Sequence, residues 1–475
     1  MPKQYKTLID GQWVETGQVL DVQNKYTGEV IATVPLADVA VTHEAIAAAA
    51  RAFETYKKVP SHARSSMLEA VADQLWQRAD QLAEIISLET GKALKFSLNE
   101  VQRSSETFKF AAEEAKRIHG ETVPMDASRF GENRFGYWVR EPVGVIGAIT
   151  PFNFPLNLVA HKVAPALAAG NTVVLKPAST TPLSALKLGE LLMAAGLPRG
   201  VLNIVVGAGA VVGDAMVTHP ACQKITFTGS PAVGEQIIKK AGIKKVTLEL
   251  GNNSATLIEP DADLAKAAER CVVSAFANAG QVCISLQRIY VHRNCAEAFT
   301  TFFVDKVNAL KVGDPLDPAC DVGPMIDRQE VQRIDAWVRE AVAQGAVVAT
   351  GGRAEGRMYL PTVLTQVTES MKVMCMETFA PVVSIAVYDD FEAALALINA
   401  SDFGLQAGVY TNDIRKAMQA VNTLAVGGVM INDTPTFRLD HFPYGGNKRS
   451  GLGREGVRFA MEDMTTIKMV VINHN

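Results

Sequence analysis

Cys283 stands in Ala279-Gly280-Gln281-Val282-Cys283-Ile284-Ser285, just after a run with helical spacing at 262–276. A thiolate attacks carbonyl carbon readily and small neighbours leave room for a substrate, which makes this cysteine a candidate nucleophile. The competing reading is a buried structural thiol, the commoner fate of a free cysteine. Glu249 ends the apolar run Lys245-Val246-Thr247-Leu248-Glu249-Leu250, with leucine on either side. In a strand its carboxylate points to the face opposite those leucines. Burial there would raise its pKa and suit it to take a proton from water; an exposed strand end would leave it an ordinary surface acid. Asn153, in Thr150-Pro151-Phe152-Asn153-Phe154-Pro155, could donate its amide to a developing oxyanion or could simply shape a turn between prolines.

A second group of motifs suits an anionic ligand. Phe227-Thr228-Gly229-Ser230-Pro231-Ala232-Val233-Gly234 has the order of a strand, a glycine turn and a helix start, with Ser as N-cap and Pro in the first turn. Free N–H groups at that start could receive a phosphate, or the helix could be capped and carry no ligand. Gly207-Ala208-Gly209-Ala210-Val211-Val212-Gly213 is one residue too long for the GxGxxG fingerprint and follows the third strand-like run, so it is not a standard dinucleotide turn. Lys176-Pro177-Ala178-Ser179 follows the second such run. Its lysine could hold ribose hydroxyls or phosphate, or could be a solvated surface residue.

The elements that must position these residues alternate. Strand-like runs at 143–149, 172–175, 201–206, 224–228 and 245–250 enclose helical runs at 156–168, 182–195, 210–217 and 231–241. That pattern predicts βαβ units and a parallel sheet covered on both faces. Ligands of such sheets bind beyond the carboxyl ends of the strands, which is where Thr150–Asn153, Lys176, Gly207, Gly229 and Ser230 fall. A second set follows Asn253, with strands near 254–258, 287–291, 382–387, 406–410 and 427–431 and helices at 262–276, 296–308, 328–344, 391–399 and 413–421. Residues 38–56 and 64–118 read as helices. The stretch 120–142 and the apolar tail Ile467–Ile472 read as strands outside both sheets, forming either an arm for another subunit or an intrachain edge pair. The expected fold is α/β, with two doubly wound domains (1–119 with 143–251, and 252–445) and a small β arm and tail (120–142 and 446–475).

Composition narrows the classes further. The 475 residues suffice for two to four domains, and 48% hydrophobic with 20% charged residues is globular rather than disordered. With 46 basic against 50 acidic residues and no basic stripe, nucleic acid is not an expected partner. Val143–Leu175 is the most apolar region, but Asn153, Asn157, His161, Lys162, Asn171 and three prolines interrupt it too often for a membrane span. Met1–Lys6 has no apolar run behind it, so no signal peptide is read. The six cysteines form no CxxC pair, which fits a reducing cytoplasm, and no metal site is read.

Taken together and in order, these blocks resemble the aldehyde dehydrogenase superfamily over essentially the whole chain. The matching segments are Pro151–Pro155, Lys176-Pro177, Phe227–Ser230, Glu249–Gly251, Gly280–Cys283, Glu377-Thr378-Phe379-Ala380-Pro381 and Pro443-Tyr444-Gly445-Gly446-Asn447-Lys448-Arg449-Ser450-Gly451. The resemblance implies a Rossmann-like cofactor domain, a catalytic domain and an oligomerisation arm, in a homodimer or homotetramer. It implies that Cys283 attacks an aldehyde, that Asn153 and the Cys283 N–H hold the oxyanion, and that Glu249 activates water to release the acid. It further implies a nicotinamide cofactor, NAD or NADP, held by Thr150, Pro151, Phe152, Lys176, Ser179, Gly209, Gly213, Phe227, Gly229, Ser230, Val233, Leu250, Glu377 and Phe379.

Four positions depart from the family pattern. Phe152 replaces a common Trp. Asn252 replaces a second glycine and is expected to keep the turn by adopting left-handed backbone. Ala380 replaces a glycine between Phe379 and Pro381. Ser179 stands where NAD-specific relatives often carry Glu; a carboxylate would repel a 2′-phosphate, so Ser179 permits NADP. By alignment on Pro443–Gly446, Phe437 and Arg438 fall near the aldehyde tunnel, and His161, about two helical turns past Asn153, and Arg103 are further candidates. A cation there suits a small aldehyde carrying a hydroxyl, carboxylate, phosphate or sulfonate, although Arg438 could instead be paired with Asp440 or another acid. The Thr436–His441 stretch is similar to members acting on lactaldehyde, semialdehydes or phosphorylated glyceraldehyde. A CoA-acylating relative and a catalytically silent binding paralogue are the alternatives.

Overall fold

The region too interrupted for a membrane span lies at the centre of a sheet. The computed structural model describes residues 2–474. Strand Val145–Ile149 and strand Thr172–Lys176 are joined by helix Asn157–Ala168, every residue of which is buried. A helix that is apolar nearly all round belongs in a core, which accounts for the composition of this stretch. No helix among the described residues is long and apolar enough to cross a membrane.

Eight strands form this first sheet, in the order Gly451–Leu452, Lys245–Glu249, Cys222–Thr228, Val145–Ile149, Thr172–Lys176, Leu202–Ile204, Thr7–Ile9 and Gln12–Val14. The five strands from Lys245–Glu249 to Leu202–Ile204 are parallel. The chain fills one side of Val145–Ile149 first and then crosses to the other. A crevice therefore opens between Val145–Ile149 and Cys222–Thr228, beyond their carboxyl ends.

Residues 250–254 lead directly from the end of this sheet into a second, seven-stranded one. Its order is Val347–Thr350, Thr362–Thr365, Val382–Tyr388, Arg288–His292, Ala255–Ile258, Gln406–Tyr410 and Gly428–Ile431, all parallel except the Val347–Thr350 edge. The expected α/β architecture is present. The helices flanking the second sheet follow the apolar periodicity: Arg328–Ala343 buries Val331, Ile334, Val338 and Ala341, and Asp327 caps it by accepting the Glu330 N–H at 2.9 Å. Sequence periodicity does not reveal Thr362–Thr365, Val347–Thr350 or the strands before residue 36, because segments of two to six residues carry too little alternation.

The two strand-like pieces outside these sheets pair with each other. Thr465–Asn473 runs antiparallel to Arg134–Pro142 along its whole length, and Glu121–Val123 completes a three-stranded sheet. Among the described residues no strand pairs with the outer side of residues 465–472, and Ile467, Met469, Val471 and Ile472 are exposed there.

The loop carrying Cys283 connects helix Leu264–Phe276 to strand Arg288–His292 of the second sheet and is hydrogen-bonded to Asn153 beyond the first. After helix Leu264–Phe276 the backbone turns left-handed at three successive residues, Asn278 (φ 52°), Ala279 (φ 53°) and Gly280 (φ 69°). Gly280 is obligatory, since a Cβ there would overlap the Ala380 carbonyl oxygen. Gln281 fastens the turn: its amide donates to the Asn278 carbonyl (3.1 Å) and its Oε1 accepts the Ile326 N–H (2.9 Å). Its own carbonyl accepts from the side-chain amides of Asn153 (2.9 Å) and Asn278 (3.2 Å). Gly280→Ala is expected to cost about 2 kcal/mol or more and to lower turnover, by clash and by backbone strain together. Chemical denaturation and steady-state rates check this; an unchanged unfolding midpoint would show that the loop tolerates a side chain.

Candidate active site

Glu249 ends the last parallel strand of the first sheet, and both of its carboxylate oxygens are buried without a hydrogen-bond partner. Its Oε1 lies 2.9 Å from where a Cβ on residue 445 would stand, so Gly445 gives the carboxyl its space. Burial, followed by the nearby Glu455 carboxylate, pushes Glu249 well above the usual carboxylate range, against the pull of Arg438, Lys162 and Arg454. Glu455 is buried too, yet Lys162 at 2.7 Å and Arg438 at 3.1 Å hold it below that range. Two neighbouring acids are thus driven in opposite directions, one toward the neutral form and one fixed as an anion.

Cys283 faces the same interior. Its Sγ lies 3.2 Å from the Tyr444 hydroxyl, and it packs in a small apolar cluster with Val282, Ile284, Leu405 and Tyr444, bordered by Phe154 and Phe442. Burial pushes the thiol up to about 11; Tyr444 and Arg438 oppose this, and the carboxylates of Glu249 and Glu377 reinforce it. Asn153 spends one amide N–H on the Gln281 carbonyl, which leaves its second N–H for another acceptor. Its Oδ1 is buried without a partner.

The residues read as cofactor ligands border the crevice of the first sheet. Thr150 follows Val145–Ile149, and its Oγ1 and that of Thr228 are buried and unpartnered. Lys176 is buried with only the Pro177 carbonyl (3.2 Å) as acceptor, and burial pulls its ammonium down to about 8. Ser179 donates to the Gly207 carbonyl at 2.8 Å. Beside Gly209 there is open space, and Gly213 faces Ile149 and Lys176. A Cβ on Gly229 would overlap the Phe227 ring, and Ser230 caps helix Pro231–Ala241 by accepting the Val233 N–H at 3.4 Å. Val233 is exposed at the start of that helix, and Leu250 packs against Gly234.

At the far side of the crevice, Phe152, next to Pro151, meets Phe379 edge-on at 5.8 Å. Glu377 is half-buried near Gly251, accepts the Asn252 N–H at 2.9 Å and is pushed up by desolvation to about 7. Free threonine hydroxyls, a lysine without an acid and a capped helix start are groups that a dinucleotide could engage. Asn252 does not adopt the expected left-handed backbone. Its N–H is held by Glu377 and its side-chain amide by Ser254 Oγ, so hydrogen bonds rather than a positive φ shape the turn. The left-handed residue here is Phe379, at φ 45°, just before Ala380.

The candidate substrate residues form one ionic cluster. Arg103 grips Asp440 with two hydrogen bonds, of 3.1 and 2.6 Å, and His161 Nε2 lies 2.7 Å from the same carboxylate. Arg438 pairs with Glu455 rather than Asp440, and its guanidinium lies 3.6 Å from the centroid of the Tyr444 ring. Its Nε is buried and unpartnered. Burial and the Arg438 charge lower the His161 pKa, which favours the neutral ring. Phe437 is exposed.

Sequence reasoning missed Lys162, Glu455, Asp440 and Tyr444 as participants. The one available signal was Lys162, a cation within a helix otherwise destined for the core, which demands a buried acid as partner.

The model of the aldehyde dehydrogenase family matches residues 13–470. The 3-sulfolactaldehyde dehydrogenase of Priestia aryabhattai is 48% identical over 471 residues, covering 99% of this chain and 98% of that protein. Aldehyde dehydrogenase 21 of Physcomitrella patens, solved in complex with the reaction product succinate, superposes with a TM-score of 0.97 at 40% identity, covering 100% of this chain and 99% of the other. The glyceraldehyde-3-phosphate dehydrogenase GapN of Methanocaldococcus jannaschii, complexed with NADP, gives 0.93 at 41% identity, covering 96% and 100%. The match over residues 13–470 and the identity of these relatives along nearly the whole chain show that the chain belongs to the aldehyde dehydrogenase family.

Proposed function

We propose that this protein oxidises a small hydroxylated or anionic aldehyde to the carboxylic acid through a thiohemiacetal and a thioester on Cys283. The observation that carries this reading is the shared interior of Cys283 and Glu249, in which the acid has no protein partner. NAD or NADP, bound in the crevice, supplies the hydride acceptor. Cys283 Sγ forms the bond to the aldehyde carbon. The free N–H of Asn153, with the Cys283 backbone N–H, stabilises the oxyanion. After the carbon is oxidised, Glu249 takes a proton from water as the hydroxide adds to the thioester, and the thiolate leaves. The buried acid speaks against the CoA-acylating alternative, which needs no water-activating base, and against a silent binding paralogue.

The charges around the site support an anionic substrate. Arg103, Lys162 and Arg438 face the anions Asp440 and Glu455, while Glu249 is driven toward its neutral acid and His161 toward its neutral ring. Arg438 Nε is buried without a partner, a donor that an anionic group on the substrate would complete. The names of relatives acting on sulfolactaldehyde and on glyceraldehyde 3-phosphate agree with this class. The exposed apolar side chains of Ile467, Met469, Val471 and Ile472 on the outer strand of the small sheet support a homodimer or homotetramer. The six free thiols fit a cytoplasmic location.

Glu249→Gln is expected to release about one equivalent of NAD(P)H per site in a rapid burst and then turn over about 10²–10⁴-fold more slowly, because acylation survives and hydrolysis does not. Sustained wild-type turnover in stopped-flow assays would remove Glu249 from its role. Arg438→Met is expected to lower kcat/KM about 10–100-fold for anionic aldehydes and much less for neutral ones of equal length. Equal losses for both would assign Arg438 to structure alone. Ser179→Glu is expected to move the ratio of kcat/KM values at least about tenfold from NADP toward NAD, by setting a carboxylate against the 2′-phosphate. An unmoved ratio would place the discrimination elsewhere.

A further inference from the structure

Two adjacent residues of one turn address the two reacting groups. Tyr444 reaches Cys283 with its hydroxyl, at 3.2 Å from Sγ, while the missing side chain of Gly445 makes room for the Glu249 carboxyl. Tyr444 has little freedom to do otherwise. Its backbone is bridged in both directions to Glu455, the Tyr444 N–H to the Glu455 carbonyl at 3.0 Å and the Glu455 N–H to the Tyr444 carbonyl at 2.6 Å. Its ring lies beneath the Arg438 guanidinium at 3.6 Å, and the whole side chain is buried. A ring fixed by backbone bridges and a stacked cation, with its one polar atom aimed at the nucleophile, does more than fill space.

We propose that Tyr444 is a further catalytic residue, whose hydroxyl donates a hydrogen bond to the Cys283 thiolate and holds the sulfur in its attacking position. This rests on the reading of Cys283 as nucleophile. The direction of the bond follows from chemistry. A thiolate can only accept, and burial together with the Cys283 sulfur keeps the phenol protonated well past its usual range, against the pull of Arg438. Tyr444 is therefore a donor and not a base. The need for a donor is local: burial raises the thiol, and apart from Tyr444 the groups acting on it are Arg438, which favours the thiolate, and Glu249 and Glu377, which oppose it. Hydrogen bonds to an ionised group are the strong ones, and removing this one should raise the thiol pKa by about one to two pH units. As the carbon–sulfur bond forms, the negative charge passes from sulfur to oxygen, and the oxyanion is taken up by Asn153.

Tyr444→Phe removes the hydroxyl and leaves the ring under Arg438. Alkylation of Cys283 by iodoacetamide, followed against pH by mass analysis of the peptide that carries it, is expected to show its midpoint raised by about one pH unit or more in the variant, with the high-pH plateau retained. The burst of NAD(P)H formation is expected to fall about tenfold at pH 7 and to recover as pH rises. An unmoved midpoint overturns the proposal. So does a burst reduced equally at every pH, which would mark a packing role. Cys283→Ser, assayed in parallel, separates the two levels. Loss of turnover in that variant with an unmoved midpoint in Tyr444→Phe sinks only the role of Tyr444, whereas retained turnover sinks the nucleophile itself.

Discussion

The Gln281 peptide unit is the point at which the two halves of the site are held together. Its carbonyl takes the Asn153 amide from the loop beyond the first sheet, and its side chain takes the Ile326 N–H and reaches back to Asn278. These bonds hold a turn in which Asn278 and Ala279 sit in left-handed backbone, at about 1–2 kcal/mol for a residue other than glycine. Strain of that kind persists only where the surroundings over-determine it. Gly280 lies against the Ala380 carbonyl and Phe379 against Phe152, so the Cys283 and Glu377 loops brace each other across the crevice. The position of one sulfur atom depends on this knot more than on either sheet.

Electrostatics then decides what the assembled groups can do. Glu249 and Glu455 are both buried, yet only Glu455 has direct cationic partners. The fixed anion keeps Lys162 and Arg438 in place and at the same time raises Glu249 by repulsion. A free base with no hydrogen bond to lose can approach water without first breaking a contact. The cost of leaving such a group unsatisfied, about 1–3 kcal/mol, is borne by the packing of the surrounding core.

Much of this arrangement was readable from the chain. Cys283, Glu249 and Asn153 stood in the ordered blocks that carry the family resemblance, the alternation of strand-like and helical runs predicted parallel sheets, and strands such as Ala255–Ile258 and helices such as Phe391–Asn399 lie where that pattern put them. What could not be read were pairings between residues distant in sequence. Arg438 met Glu455 rather than Asp440, because Asp440 was already engaged by Arg103, 337 residues away. Asn252 kept its turn by hydrogen bonds to Glu377 and Ser254, a solution that local propensity does not encode. Very short strands such as Thr7–Ile9, held between Leu202–Ile204 and Gln12–Val14, gave no periodic signal and owe their conformation to the sheet they join.

The segment from Arg438 to Glu455 ties the ionic cluster to Cys283 and Glu249 within one stretch of chain. Its second half is welded to the base: Gly451 pairs with Glu249 across the sheet edge, and the Leu250 N–H donates to the Ser450 carbonyl at 2.9 Å. Its first half, with Arg438 and Asp440, makes no ladder contact with that strand; side chains of Arg103, His161, Asn157 and Glu455 hold it, and Gln406 donates to the Phe437 carbonyl just before it at 3.0 Å. Arg438 belongs to both halves: it pairs with Glu455, stacks on the Tyr444 ring and acts on the charge of Cys283 and Glu249, so a change there reaches the reacting groups just as a change at Tyr444 or Gly445 would.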